Sequence, residues 1–152
     1  VARPGKTPAS WQAQVAFYLA LVTAAFSGFQ WWTAQQETAI TTAIDMSKRY
    51  FDDKDLPIAY RIVRNWRSSG SFGDDAESQV FHKFMLYIEY VSYLANRNRI
   101  NIDYISNDLR CAVNTAYDAM VTAELAGRPG LSMARPETKK LGAKLQVKDC
   151  LL

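Results

Sequence analysis

The stretch SWQAQVAFYLALVTAAFSGFQWW, residues 10–32, lies inside thirty consecutive residues, 7–36, that carry no charged side chain. At a helical rise of 1.5 Å per residue, Trp11 to Trp32 covers about 31 Å, the thickness of a bilayer's hydrocarbon core. Trp11 stands at one end and Trp31 and Trp32 at the other. An apolar ring with one polar N–H suits a membrane interface. Val15, Phe17, Leu19, Leu21, Val22 and Phe26 fill the interval, diluted by alanines, Ser27 and Gly28. Small residues of this kind permit close helix contact in lipid. Thr23, the central polar residue, can return its hydroxyl to a carbonyl one turn back. The stretch therefore predicts a transmembrane helix over 11–32 behind a short flank, 1–10.

Two other readings compete. Arg3 and Lys6 before an apolar core, with small residues at Ala25 and Ser27, fit a cleaved secretory signal and a secreted helical protein. Against this, the helical pattern runs on through the cut. Ile40, Ala43, Ile44 and Met46 prolong it to about Tyr50, with no Pro or Gly between Phe29 and Asp55. The core helix of a soluble protein is the third reading, but such a helix carries charge on its wet face.

Beyond the anchor the 152-residue chain, 49% apolar and 22% charged, is polar enough to exclude a multi-span protein. Asp55 can cap a helix over 56–68 with Pro57 in its first turn, and Ala59, Ile62, Val63 and Trp66 form its apolar stripe. After the turn-rich segment 68–75, a helix over 76–96 aligns Phe81, Phe84, Met85, Ile88 and Val91. A further helix, starting at Asn101 or Asp103, carries Ile105, Leu109, Ala112, Val113, Ala116, Met120 and Val121 and stops at Gly127. Strand alternation is absent. The expected fold is all-α: the transmembrane helix continues into a small bundle of about three further helices, residues 33–126.

Residues 127–152 shift in composition. Arg128, Arg135, Lys139, Lys140, Lys144 and Lys148 face only Glu137 and Asp149, a balance of +4, whereas the rest of the chain carries −1. This reads as a flexible, solvated basic tail; nucleic acid is not the expected partner. The DCLL ending is no prenylation signal, because its cysteine is third from the end.

Catalytic signatures are missing. His82 is the lone histidine, and no glycine-rich phosphate loop follows a strand, so no catalytic, cofactor or metal residue is assigned. Cys111 and Cys150 are too few for a disulfide framework; Cys111 reads as a small buried hydrophobe and Cys150 as exposed. The remaining question is Glu89, set among Tyr87, Ile88, Tyr90 and Val91. His82, Glu89 and Tyr93 fall along one helix flank and allow a polar seam. A ligand site is one reading; pairing of Glu89 with Arg61 or Arg64 is the favoured one.

The apolar span, the continuing helix TAQQETAITTAIDMSKRYF and the aromatic helix FMLYIEYVSYLANRNRINIDYI, with its central acid, resemble the bacterial proteins grouped as domain of unknown function 4760. The resemblance covers about residues 15–125. It implies a single-span bacterial protein with a small helical domain facing the cytoplasm, and no reaction. Glu89 and the turn 98–103 correspond to the family's acidic helix and its following turn. The expected function is a membrane-anchored interaction or accessory module, with the lipid bilayer and a second copy or another membrane protein as partners. A small-molecule-binding or enzymatic domain using Glu89 and His82 is the alternative. Arg3 and Lys6 on one side and Lys48 and Arg49 on the other leave the positive-inside rule balanced. Attraction of the basic tail to an anionic leaflet then favours a cytoplasmic domain on the inner membrane.

Overall fold

The uninterrupted helical pattern after the N-terminal flank forms one helix, α1, Pro8–Asp52. The computed structural model describes residues 8–72, 74–127, 130–145 and 150. It divides into two units, Val1–Glu37 and Thr38–Leu152.

In the first unit, the part of α1 that carries the apolar window is the one stretch of the described residues long and apolar enough to cross a membrane. None of that window is buried within the chain, whereas the core helix of a soluble protein is mostly buried. Phe17, Leu19, Val22 and Phe26 are all at least 60% exposed, so the apolar surface is offered outward. The Thr23 hydroxyl donates to the Leu19 carbonyl at 2.8 Å, which satisfies it inside the helix. Arg3 and Lys6 lie outside the described residues.

The second unit is helical throughout its regular elements: the end of α1, then α2 (Leu56–Ser69), α3 (Asp75–Asn96), a 3₁₀ turn (Ile102–Tyr104), α4 (Asn107–Leu125), the short α5 (Gly130–Met133) and α6 (Pro136–Leu145). Ala39, Ala43, Met46, Ser47 and Tyr50 form the buried stripe of α1. Their spacing of three and four is that of one helix face. Ile44, one of the apolar residues that prolong the helical pattern, is 43% exposed. Ser47 takes the inward place instead: its hydroxyl donates to Ala43 and accepts the Ser106 N–H at 2.9 Å, tying the start of α4 to α1.

The stripes read from α2, α3 and α4 are where the core is. Ala59, Val63, Phe84, Met85, Ile88, Leu109, Val113 and Met120 are fully enclosed, and Trp66 stacks against Phe72 and Phe81 at the rim. Caps fix the ends. Asp74 accepts the Glu77 N–H at 2.7 Å and Ser106 accepts that of Leu109 at 3.2 Å. The cap assigned to Asp55 belongs to its neighbour: Asp53 accepts from the N–H groups of Asp55 and Leu56, while the Asp55 side chain makes no capping bond. Gly127, with φ +73°, ends α4 in the left-handed conformation that glycine adopts freely.

The flexible-tail expectation is corrected. Residues 136–145 form a helix packed on α3 and α4, with Thr138 and Leu141 buried. Pro136 opens it, and Leu141 and Leu145 repeat one turn apart on the face toward the core. Lys140 and Lys144 are exposed, and Lys139 meets Glu124 at 2.6 Å, so the basic charge clothes the outer face of a docked helix. Gly142 makes the approach possible: a Cβ there would overlap the Cβ of Tyr117 on α4. Arg128 and Lys148 lie outside the described residues.

Candidate functional site

Glu89 projects from the middle of α3 toward the start of α6. Its Oε1 accepts the Glu137 N–H at 3.1 Å, and its Oε2 accepts both the Thr138 N–H at 2.8 Å and the Thr138 hydroxyl at 2.7 Å. The first N–H groups of a helix have no partner within it, and the N-terminal end of its dipole favours negative charge. Glu89 is therefore an N-cap supplied by another helix, and neither Arg61 nor Arg64 is its partner, as the sequence had suggested. Asn96, two turns further along α3, adds a second grip. Its Nδ2 donates to the Glu137 carbonyl at 3.0 Å and to Oε2 of Glu137 at 2.7 Å.

Cys111 and Cys150 are joined in a disulfide, with Cα atoms 5.3 Å apart. This corrects the reading of two free thiols. The bond ties the chain beyond α6 back to α4, across 39 residues of sequence.

The three residues of the expected seam meet different surroundings. His82 is exposed beside Phe72 and Phe81, with ring centres 6.4 and 5.7 Å away. Glu89 faces α6. Tyr93 carries the Arg97 guanidinium over its ring at 5.0 Å. A spacing of seven and four residues placed them on one flank, and the packing of α6 then claimed the central one.

Open clefts indent the folded unit, among them three lined by described residues. One, of about 450 Å³, is lined by Arg49, Asp52, Asp53, Leu56, Lys83 and Tyr87. Lys83 bridges Asp53 and Asp55 at 2.9 and 2.8 Å, which ties α3 to the turn before α2. The Lys83 hydrogen bond, aided by the two backbone N–H donors, holds the Asp53 carboxyl below the usual carboxylate range. Burial pushes the Tyr87 hydroxyl up to about 12, and it donates to the Met46 carbonyl. Cation and carboxylates thus satisfy one another, and the phenol is satisfied by the α1 backbone. A smaller cleft of about 220 Å³ lies over Tyr50, Tyr60, Asp108 and the disulfide's Cys111. The third, of about 470 Å³, brings Thr38 and Thr42 of α1 to Tyr90, Tyr93, Leu94, Arg97 and Arg99. Sequence reasoning passed over those two arginines, although the segment NRNR at the end of an aromatic helix carried the signal.

Among the described residues no group of three or more His, Cys, Asp or Glu is placed to hold a metal ion. Compared with family models, with curated proteins and with solved structures, the chain matches none.

Proposed function

We propose that this chain is a single-pass membrane protein whose helical unit acts by binding rather than by catalysis, as an interaction or accessory module. The observation that carries the reading is the exposed apolar window of α1, joined in one chain to a unit whose half-buried acid, Glu89, is already engaged. With both oxygens of Glu89 bound to α6, the acid is not available as a general acid or base. A second copy or another membrane protein is the partner class this reading favours, and α3 offers Leu86, Tyr90 and Tyr93 outward at helical spacing.

The cytoplasmic orientation expected from the sequence rested on the family resemblance and on a mobile basic tail. Much of that tail is helix, and Cys111 is paired with Cys150. Structural disulfides persist in oxidising compartments and are rare in the cytosol. Our reading is therefore that the helical unit faces the oxidising side of the cytoplasmic membrane.

The full chain is expected to remain with membranes after carbonate extraction. Trapping with a polymer-linked maleimide should modify neither cysteine until a reductant is added. A soluble product beginning near Gly28 would replace the anchor by a cleaved signal. Two reactive thiols without reductant would return the unit to the cytoplasm.

A further inference from the structure

The turn after α3 is held in a fixed shape. Arg97 donates its N–H to the Tyr93 carbonyl at 3.2 Å, and Arg99 donates to Leu94 at 2.8 Å. Asn98 between them has φ 54°, a left-handed conformation that asparagine tolerates better than most residues. Ile100 is buried, and the Asn101 N–H reaches the Ala39 carbonyl on α1 at 3.2 Å. The two arginines thus flank a chain reversal that is fastened to α1, and both line the cleft of about 470 Å³.

Among the described residues neither guanidinium has a carboxylate within 4.0 Å, whereas Arg49, Arg67 and Lys139 each have one and Lys83 has two. Stacking on the Tyr93 ring orients Arg97 and leaves its N–H edge to face an oxyanion. Guanidinium groups bind phosphate in pairs of parallel hydrogen bonds. Tyr90 and Tyr93, 52% and 42% exposed, add hydroxyl donors and an apolar wall in the same cleft. Thr42 already donates its proton to the Thr38 carbonyl at 2.7 Å, so its oxygen remains as an acceptor for a ligand hydroxyl.

We propose that this cleft binds a phosphate group esterified to a small hydroxylated carrier, with Arg97 and Arg99 as its anion ligands. A glycerophospholipid headgroup and a soluble phosphate ester share that chemistry. Thr38 follows Trp32 by six residues, so the two cannot be more than about 22 Å apart along the chain. Lipid headgroups come within reach if the anchor reading holds, and the lipid source rests on that reading.

The test uses the full chain in detergent micelles, with Arg97→Gln/Arg99→Gln as the site variant and Lys140→Gln/Lys144→Gln as the charge-matched control, each checked for native helicity. Native mass spectrometry compares retained phosphatidylglycerol with phosphatidylcholine, and calorimetry follows glycerol phosphate. The expected result is a preference for phosphatidylglycerol that weakens at least about tenfold in the arginine variant and persists in the lysine variant. Arginine-dependent binding of glycerol phosphate without any lipid preference upholds the phosphate site and assigns it to a soluble ester. Equal behaviour of the arginine variant and the parent, or an equal loss in the lysine variant, overturns the proposal. Because glycerol phosphate needs no membrane, its result separates failure of the site from failure of the anchor.

Discussion

Replacing Glu89 with alanine is expected to lower the stability of the folded unit by about 3 kcal/mol, because three hydrogen bonds to one carboxyl group disappear together. Thr138 is fully buried, so its N–H and hydroxyl lose their partner where water cannot replace it. The loss has a ceiling. Once it exceeds the free energy that docks α6, the helix detaches and its first N–H groups are hydrated instead. Glutamine keeps an acceptor oxygen and is expected to cost about half as much, since charge-assisted bonds are roughly twice as strong as neutral ones. Denaturant unfolding of the full chain in detergent, followed by circular dichroism, measures both variants. A change within about 0.5 kcal/mol for alanine is the ordinary surface effect and would remove Glu89 from the role of cap.

The second large effect belongs to the disulfide. A cross-link closing a loop of 39 residues restricts the unfolded chain by about 4 kcal/mol on the entropic account, within the range of 0–5 observed for such bonds. The double replacement Cys111→Ala/Cys150→Ala should therefore lose about 2–4 kcal/mol, and adding dithiothreitol to the parent chain should reproduce most of that loss. Reductant should leave the double variant unchanged. If the parent melts identically with and without reductant, the bond is absent in solution.

The apolar periodicity of α2, α3 and α4 was enough to find their inward faces, since Ala59, Val63, Phe84, Ile88, Leu109 and Val113 recur at helical spacing and are buried. Helix α6 was not legible in the same way. In PETKKLGAKL only two leucines mark the inner face, and the buried residue that matters most, Thr138, is polar. Its docking is decided by Glu89, 49 residues away, and by the small volume of Gly142, neither of which a local pattern can display. Likewise, two cysteines 39 residues apart say nothing about pairing until the packing of α6 on α4 brings that end of the chain back. At α1 the sequence showed that the helix continues but not which face turns inward, and Ala39, Ala43, Met46, Ser47 and Tyr50 define the face that the domain covers. Small residues can face a core because helices approach closely there, and a hydrophobicity pattern undervalues them.

The cap that joins Glu89 to α6 also bears on the order of events in folding. Loop-closure entropy rises with the length of chain enclosed, and contacts made over long separations form after local helical ones. Helices α2 and α3 are neighbours in sequence and pack together, whereas α6 reaches Glu89 only across 49 residues. The helical hairpin of α2 and α3 therefore belongs to the early part of the barrier, and α6 closes over it late. A change at Thr138, such as Thr138→Val, should accelerate unfolding and leave the refolding rate nearly unchanged. Stopped-flow chevrons of the full chain read the two limbs separately, and a slowed refolding limb would place α6 in the nucleus instead. The cap thus acts as a latch, deciding how long the native state lasts more than how quickly it is reached.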